Sequence, residues 1–209
     1  MSTKAQQKKL ARKAEAQRKN EMREKIDAAE SIEDYLANLP SFRKFNKNGI
    51  EADVLTFKNT PQEFLEWMFD LTKANMEEMY QQTWGWSDSK KRKELTDPQA
   101  HFIVVVTPDG PAGFLHFRFL IDSDLPLLYV YEIQVDPKFQ SKGIGKQMML
   151  TAEFIAMKNH LEAVMLTVFD INAGARRFYE KMRYITHSST PSPGSAEAYY
   201  HVLYKPFKK

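Results

Sequence analysis

The chain has 209 residues, 43% hydrophobic and 12% aromatic, which suffices for one globular domain with a substantial core. It has no cysteine, which excludes a disulfide framework, a thiolate zinc site and a cysteine nucleophile. Its five histidines lack ligand spacing, so no metal is expected. No apolar run approaches the roughly 20 residues that span a bilayer. The polar N-terminus lacks a secretory-signal pattern, so we expect an intracellular protein with no membrane partner.

The net charge of +3 is unevenly distributed along the chain. Residues 1–26 carry nine Lys and Arg against three Glu, which leaves 21 basic and 24 acidic residues for the remainder. We therefore predict a basic extension over residues 1–30, helical where a surface supports it and partly disordered at its start, before a domain over 31–209. The extension is a candidate for contact with the ribosome or chromatin, or a solvated helix. The mildly acidic body suits a cationic partner.

Turn residues and hydrophobic periodicity define the elements of the first half. Ser31 is predicted to cap a short helix that Pro40 stops. Thr60 is predicted to cap a longer helix with Pro61 in its first position. The other elements predicted before residue 100 are a strand over 50–57 and a short charged helix that follows Ser87.

The second half alternates between apolar strands and helices. A turn at Pro108-Asp109-Gly110 starts an antiparallel meander. The predicted strands cover 101–107, 112–121, 127–135, 163–169 and 198–204, and the predicted helices cover 143–160 and 172–182. This order predicts an α/β (α+β) fold in which helices flank a mixed central β-sheet.

One segment has the composition of an anion-binding loop: a strand ends at Val135 and a helix begins near Gly143. Gly143 and Gly145 lack a Cβ, so a ligand can approach the backbone closely. The first N–H groups of the helix have no internal partner and favour phosphate, and Lys142 and Lys146 add positive charge. The spacing fits neither a P-loop nor a dinucleotide motif. The alternative is an ordinary glycine turn into a helix.

Gln140-x-x-Gly143-x-Gly145 resembles the pyrophosphate-binding signature of the GNAT superfamily of acetyl-CoA-dependent N-acetyltransferases. The later Asn172-x-x-Ala175-x-x-Phe178-Tyr179 occurs in that family's order. The resemblance covers about residues 50 to 205 and implies the GNAT fold with acetyl-CoA as cosubstrate. It also implies cofactor contacts from Ile133, Gln134, Val135, Gln140, Ser141, Lys142, Gly143, Ile144, Gly145, Lys146 and Asn172.

A closer resemblance extends over nearly the whole chain and is to the N-alpha-acetyltransferase 40 family, also called NatD. It is carried by Phe69-Asp70-Leu71-Thr72-Lys73, Trp84-Gly85-Trp86, His116-Phe117-Arg118-Phe119, Tyr129-Val130-Tyr131-Glu132 and Met165-Leu166-Thr167-Val168-Phe169. It implies a cytoplasmic and nuclear enzyme that acetylates the Ser-Gly-Arg-Gly tail of histones 2A and 4. A monomer is expected, since no hydrophobic stripe is left over. The alternatives are a GNAT enzyme for lysines or small amines, and a non-catalytic acyl-CoA- or chromatin-binding module.

Glu132 interrupts an apolar strand, where an ionised carboxylate is costly unless it is paired or faces a wet cleft. It is a candidate base for a substrate amine, and the alternative is a structural ion pair with Arg118. Tyr129 and Tyr131 share one face of a regular strand and Glu132 has the other. All three meet a substrate only if the strand bulges or splays. Tyr131 is the better candidate for binding the amine, since Tyr129 can equally belong to the core.

The resemblance implies substrate contacts from Tyr80, Trp84, Tyr129, Tyr131, Thr167 and Tyr200. Asp122 and Asp124 are candidates for receiving the substrate arginine, although the family carries an acidic residue where this chain has Leu120. Tyr179 is a candidate proton donor to the departing CoA thiolate, or else a core aromatic residue. The position of Asn172 is also explained by a helix cap alone.

Overall fold

The computed structural model describes residues 4–207. Its helices are α1 (Lys4–Glu30), α2 (Gln62–Gln81), α3 (Asp88–Leu95), α4 (Ile144–Lys158) and α5 (Ala173–Lys181). Its strands are β1 (Lys44–Lys47), β2 (Ile50–Lys58), β3 (His101–Thr107), β4 (Gly110–Asp122), β5 (Leu125–Val135), β6 (Ala163–Phe169), β7 (Ile185–Thr186) and β8 (Tyr200–Pro206). Single 3₁₀ turns occupy Pro40–Phe42 and Pro137–Phe139.

The strands form one mixed sheet in the order β1-β2-β3-β4-β5-β6-β8-β7. β5 and β6 are parallel and are joined through α4, as a parallel pair requires a crossover. The other neighbouring strands are antiparallel. The predicted mixed sheet is therefore confirmed, and the elements after residue 100 lie close to their predicted bounds.

Alternating side chains divide the core between the two faces of the sheet. On one face, Phe102 and Phe114 pack with Met68 of α2 and Leu95 of α3. On the other face, strand residues 103, 105, 115, 128 and 130 pack with α4, with the C-terminal part of α1 and with Tyr179 of α5. The face of α2 and α3 carries the candidate catalytic residues Tyr131 and Glu132, whereas the third candidate, Tyr179, packs on the other face.

Two irregularities open the sheet at the middle of β5. His116 pairs with Glu132 but Phe117 pairs with Val130, so Tyr131 is the extra residue of a β-bulge. β5 and β6 pair only as far as Val130 and Leu166, although both strands continue. Beyond this point, the edge of β5 that faces β6 has lost its strand partner. The bulge or splay expected from the tyrosine spacing is confirmed in both forms.

Two predicted starts of helices are wrong. Residues 31–39 form turns, because the Asp34 carboxylate accepts the Leu36 N–H at 3.0 Å and competes with a helix. Thr60 does not cap α2: its hydroxyl donates to the Leu95 carbonyl at 2.6 Å, and α2 begins after Pro61.

A hairpin near the N-terminal end of the sheet was not predicted. β1 pairs with β2 through Asn48 and Gly49, whose φ angles of 54° and 73° are typical of a two-residue Asn-Gly hairpin turn. The last long strand starts at Tyr200, two residues later than predicted, and the short β7 was also missed.

The basic extension is helical from Lys4 onward, and the disordered start predicted for it falls partly on residues 1–3, outside the described part of the chain. Only its C-terminal half docks, with Met22 and Ala29 buried. Glu30 Oε2 lies 3.0 Å from Nε2 of His101, whose Nδ1 lies 3.0 Å from the Tyr35 hydroxyl. We call these three residues the His101 cluster. None of the helices within residues 4–207 has the length and apolarity needed to cross a membrane.

Candidate active site

A cleft of about 770 Å³ follows the end of β5, and we call it the glycine-loop cleft. It lies among the loop after β5, the start of α4, α5 and α2. Nine of the predicted cofactor contacts line it: Ile133, Gln134, Val135, Gln140, Ser141, Gly143, Gly145, Lys146 and Asn172. The sequence prediction of one continuous ligand-binding loop therefore corresponds to a real concavity.

The backbone of this loop explains the requirement for glycine. Gly143 is the N-cap of α4 and has a φ of 99°, a left-handed conformation that side chains other than glycine rarely adopt. Two of the predicted cofactor contacts, Lys142 and Ile144, are not among the described residues that line the cleft. The Ile144 side chain is buried in the core, so only its backbone can reach a ligand. The Lys142 carbonyl accepts the Asn48 amide at 2.9 Å.

Side-chain amides fasten the cleft to the end of β5. The amides of Gln140 and Asn75 donate to the Val135 carbonyl at 3.1 and 3.3 Å. Asn172 accepts the Ala175 N–H at 3.1 Å, which confirms the predicted cap of α5, and it also lines the cleft. Asn75 was missed, because an asparagine on an amphipathic helix gives no signal of its partner.

A second, smaller cavity of about 180 Å³ lies beside the bulge, and we call it the aromatic cavity. Its walls are Tyr80, Trp84, Glu94, Tyr129, Val130, Tyr131, Thr167 and Phe169. The Tyr129 and Thr167 hydroxyls lie 2.6 Å apart and connect β5 to β6. The structure thus brings five of the six tyrosine, tryptophan and threonine residues predicted as substrate contacts to one small cavity.

The remaining predicted substrate contacts lie outside this wall, as far as residues 4–207 show. Tyr200 packs against Trp84, with 5.5 Å between the ring centroids. Asp122 lies at the β4–β5 turn, where its carboxylate accepts the Ser123 hydroxyl at 2.9 Å. Strand alternation places Asp122 on the same sheet face as Leu120 and Arg118, further along the sheet from the bulge.

Glu132 is buried between the two cavities and its partner is Lys91, not Arg118. Lys91 Nζ lies 2.7 Å from Glu132 Oε1, and both side chains are 5% exposed. The Tyr80 hydroxyl donates to the same oxygen at 3.2 Å, and Gln134 donates to Oε2 at 2.8 Å. Lys91 also bonds Glu94 at 2.7 Å. We call Lys91, Glu132, Glu94 and Tyr80 the Lys91 cluster.

Arg118, the partner expected for Glu132, is occupied elsewhere. Its guanidinium pairs with Asp97 at 3.0 Å and lies 4.2 Å from the centre of the Tyr131 ring. The Tyr131 ring stacks in turn on His116, which is neutral because burial lowers its pKa well below the ordinary value. Arg118 therefore supports the bulged tyrosine rather than the carboxylate.

The local structure of α3 explains why a lysine points inward there. The Ser87 side chain accepts the Lys90 N–H at 3.4 Å and caps the helix. Arg92 makes a two-pronged pair with Glu66 of α2 at 2.7 and 2.8 Å on the outer surface. This arrangement turns Lys91 toward the sheet. Lys91 and Glu94 were missed, since α3 reads simply as a charged, solvated helix.

Charge and burial act against each other in the Lys91 cluster. Burial lowers the pKa of Lys91, but the charges of Glu132 and Glu94 and the hydrogen bond to Glu132 outweigh it and raise that pKa above its ordinary value. Burial raises the pKa of Glu94, although Lys91 acts in the opposite direction. Burial, aided by Glu132, likewise raises the pKa of the Tyr80 hydroxyl, which stays protonated.

Tyr179 lines the glycine-loop cleft from α5. Burial and the charge of Glu132 raise the pKa of its hydroxyl, so the group holds its proton at neutral pH. That hydroxyl makes no hydrogen bond within the described residues. The side chain can therefore donate to a group in the cleft, although its ring also packs in the core.

A splayed β5–β6 pair, a bulge beside a buried carboxylate and a glycine loop that opens a helix meet at the end of β5, and the helix start suits an anionic group of a ligand. Residues 64–184, more than half of the chain, match the acetyltransferase (GNAT) family. The chain belongs to that family. The same residues 4–207 contain no group of three or more His, Cys, Asp or Glu placed to bind a metal ion.

One curated relative is the N-alpha-acetyltransferase 40 of Saccharomyces cerevisiae, 30% identical over 90 residues. That match covers 40% of this chain and 32% of the yeast protein, so the chain spans about a third of its relative. Two solved structures share the fold. The PaiA N-acetyltransferase of Thermoplasma acidophilum, in complex with coenzyme A, is 16% identical with a TM-score of 0.56, over 74% of this chain and 99% of that one. Naa50 of Arabidopsis thaliana, in complex with a bisubstrate analogue, is 14% identical with a TM-score of 0.55. That match also covers 74% of this chain and 99% of the other chain.

Proposed function

We propose that this enzyme transfers acetyl from acetyl-CoA to the free α-amine of protein N-termini, and that the Ser-Gly-Arg-Gly tail of histones 2A and 4 is its substrate. The observation that supports this most is the bulge at Tyr131. It turns Tyr129, Tyr131 and Glu132 toward the same side of the sheet, next to the end of the glycine-loop cleft. The partial match to the yeast N-alpha-acetyltransferase 40 agrees with this choice.

The size of the aromatic cavity supports a small N-terminal residue. At about 180 Å³, the cavity leaves little room beyond a serine or glycine and the amine that precedes it. The hydroxyls of Tyr129 and Thr167 offer hydrogen bonds to a peptide backbone. Trp84, which is 49% exposed, lies at the rim, where a chain that continues outward can pack against it.

The reaction proposed is direct transfer with no covalent enzyme intermediate. The α4 N-terminus and Lys146 hold the pyrophosphate of acetyl-CoA, and the free edge of β5 near Val135 offers backbone N–H groups to the thioester carbonyl. The carboxylate of Glu132, held by Lys91, assists the loss of a proton from the amine. Tyr179 supplies a proton to the departing thiolate.

Mass spectrometry of a peptide headed by Ser-Gly-Arg-Gly tests the substrate, with the same peptide carrying a blocked N-terminus as control. We expect acetate on the α-amine of the free peptide and none on the blocked one. Acetate on lysines of both peptides would contradict the proposal and favour a lysine acetyltransferase. Binding of acetyl-CoA with no transfer would favour a non-catalytic module.

A further inference from the structure

Both carboxylate oxygens of Glu132 already accept hydrogen bonds from neighbouring side chains. Its Oε1 accepts from Lys91 at 2.7 Å and from Tyr80 at 3.2 Å, and its Oε2 accepts from Gln134 at 2.8 Å. Glu132 is also not among the described residues that line the aromatic cavity. The proton of the substrate amine therefore needs another destination near the bulge.

Glu94 is the second carboxylate of the same cluster and is bonded very differently. Its Oε1 accepts from Lys91 at 2.7 Å, whereas its Oε2 makes no hydrogen bond or ion pair with the described residues. The side chain is 31% exposed and lines the aromatic cavity together with Tyr129 and Tyr131. Glu94 thus presents a free oxygen to the space proposed for the substrate amine.

We propose that Glu94 is the catalytic residue that takes the proton from the substrate amine. Lys91 is then a positioning residue that holds Glu94 and Glu132 as one carboxylate pair. This inference rests on the proposed transfer to an amine in the aromatic cavity, and it concerns the route of the proton rather than the identity of the substrate.

An N–H bond of the substrate ammonium breaks, and an O–H bond forms on Glu94. The freed lone pair of the nitrogen forms the bond to the acetyl carbon, and the C–S bond of acetyl-CoA breaks with its electrons going to sulfur. The nitrogen loses a second proton as the amide forms, and the thiolate gains one. Each turnover therefore releases one proton, which Glu94 returns to solvent through the exposed side of its carboxylate.

The net charge around Glu94 allows the carboxylate pair to bind one proton. One ammonium between two carboxylates gives a net charge of −1, so the pair can bind a proton without excess positive charge. Burial raises the pKa of Glu94, which brings it toward the range of a useful base. The charged or titratable groups on the elements packed around Glu94 are Lys91, Tyr80, Glu132, Tyr129, Tyr131, His116 and the Arg118–Asp97 pair. The arginine of that pair donates to the Glu94 carbonyl at 3.1 Å.

The kcat of a Glu94→Gln variant between pH 6 and pH 10 tests the proposal. The acceptor is whichever peptide the wild type acetylates, with a free α-amine or with a lysine, so failure of the proposed substrate leaves this test intact. We expect kcat near pH 7 to fall about 100-fold. We also expect kcat to recover as pH rises, because the amine then loses its proton without help.

Two further variants separate a chemical role from a structural one. Glu66→Gln removes the exposed Arg92–Glu66 pair between the same two helices, and we expect it to keep the wild-type kcat and pH profile. Glu94→Asp retains a carboxylate, so its kcat should still fall at acidic pH as the wild-type kcat does. Its maximum kcat should be lower than that of the wild type. A Glu94→Gln enzyme that binds acetyl-CoA and has a kcat within threefold of Glu66→Gln across this pH range would overturn the proposal.

Two variants test the positioning role of Lys91, one that removes its charge and one that retains it. Lys91→Met should lower kcat at least as much as Glu94→Gln, and Lys91→Arg should recover a pH profile of wild-type shape at a reduced rate. If Lys91→Met retains the wild-type pH profile, then Lys91 does not position the carboxylate pair.

Discussion

The Lys91 cluster and the His101 cluster lie on opposite faces of the same sheet and differ in how burial acts on them. In the Lys91 cluster, a cation lies 2.7 Å from each of two carboxylates and keeps its charge. In the His101 cluster, burial and nearby positive charges lower the pKa of His101 to about 4, and burial raises the pKa of Glu30. Lys91 keeps its charge because two carboxylates bond it directly. His101 becomes neutral although Glu30 lies 3.0 Å away, because it is buried and Lys58 and Arg118 add positive charge nearby.

The two clusters also differ in their access to a cavity. Glu94 connects the Lys91 cluster to the aromatic cavity. In the His101 cluster, Tyr35 and His101 are 5% and 1% exposed beneath the end of α1. We therefore expect a buried polar cluster to have a chemical role where it combines retained charge with a cavity. His101 has lost its charge, and the hydrogen bonds of its cluster hold the end of α1 on the body.

The largest expected effect on stability is at Lys91. Lys91→Met leaves Glu132 buried without its cation, and we expect a loss of about 3–5 kcal/mol in the free energy of unfolding. Arg92→Met, one residue further on, removes a pair in which Arg92 is 41% exposed and should cost at most about 1 kcal/mol. Urea denaturation of both variants measures the difference. Equal losses would mean that burial does not distinguish the two pairs.

The His101 cluster should make stability depend on pH in a defined window. The pKa of folded His101 is about 4 against an ordinary 6.5, so the unfolded chain binds the extra proton between these values. The contribution of His101 is fully present above pH 6.5 and is lost as pH falls toward 4. The change is about 2–3 kcal/mol. Urea denaturation at pH 7 and pH 4.5 should show a smaller difference for His101→Gln than for the wild type; an unchanged difference would contradict the account.

The smallest effect is expected at the helix caps. Asn172→Ala and Ser87→Ala each remove a cap, of α5 and of α3, and each should cost about 1 kcal/mol. Only Asn172 lines the glycine-loop cleft, so only its variant should also weaken acetyl-CoA binding, severalfold by calorimetry. Equal acetyl-CoA affinity in the two variants would mean that Asn172 caps α5 and does not contact acetyl-CoA.

The two cavities also differ in how far the sequence predicts them. The loop that forms one wall of the glycine-loop cleft is a continuous segment whose glycines, turn and helix start are visible residue by residue, whereas α2 and α5 supply the other walls. The requirement for a bulge followed from the spacing of Tyr129, Tyr131 and Glu132, and the register shift confirms it. These features are local, and local backbone geometry is what a sequence specifies most directly.

The Lys91 cluster was not predicted because its members come from α2, α3 and β5. Burial of Lys91 depends on how α3 packs, and an eight-residue helix with charges on every side gives no pattern that selects one of them. Arg118 was the natural partner for Glu132 by strand adjacency, but Asp97 and the Tyr131 ring bind it instead. Tertiary packing determines which partners Lys91, Glu132 and Arg118 bind.

Single-turnover transfer by Glu132→Gln and His101→Gln, measured side by side on the free-amine peptide, tests most directly whether the Lys91 cluster is the chemical one. We predict a fall of at least about 100-fold for Glu132→Gln with acetyl-CoA affinity largely kept. His101→Gln should stay within about threefold of the wild type once both are folded at neutral pH. Similar losses in the two variants, or loss of acetyl-CoA binding together with turnover in Glu132→Gln, would show that both clusters are structural.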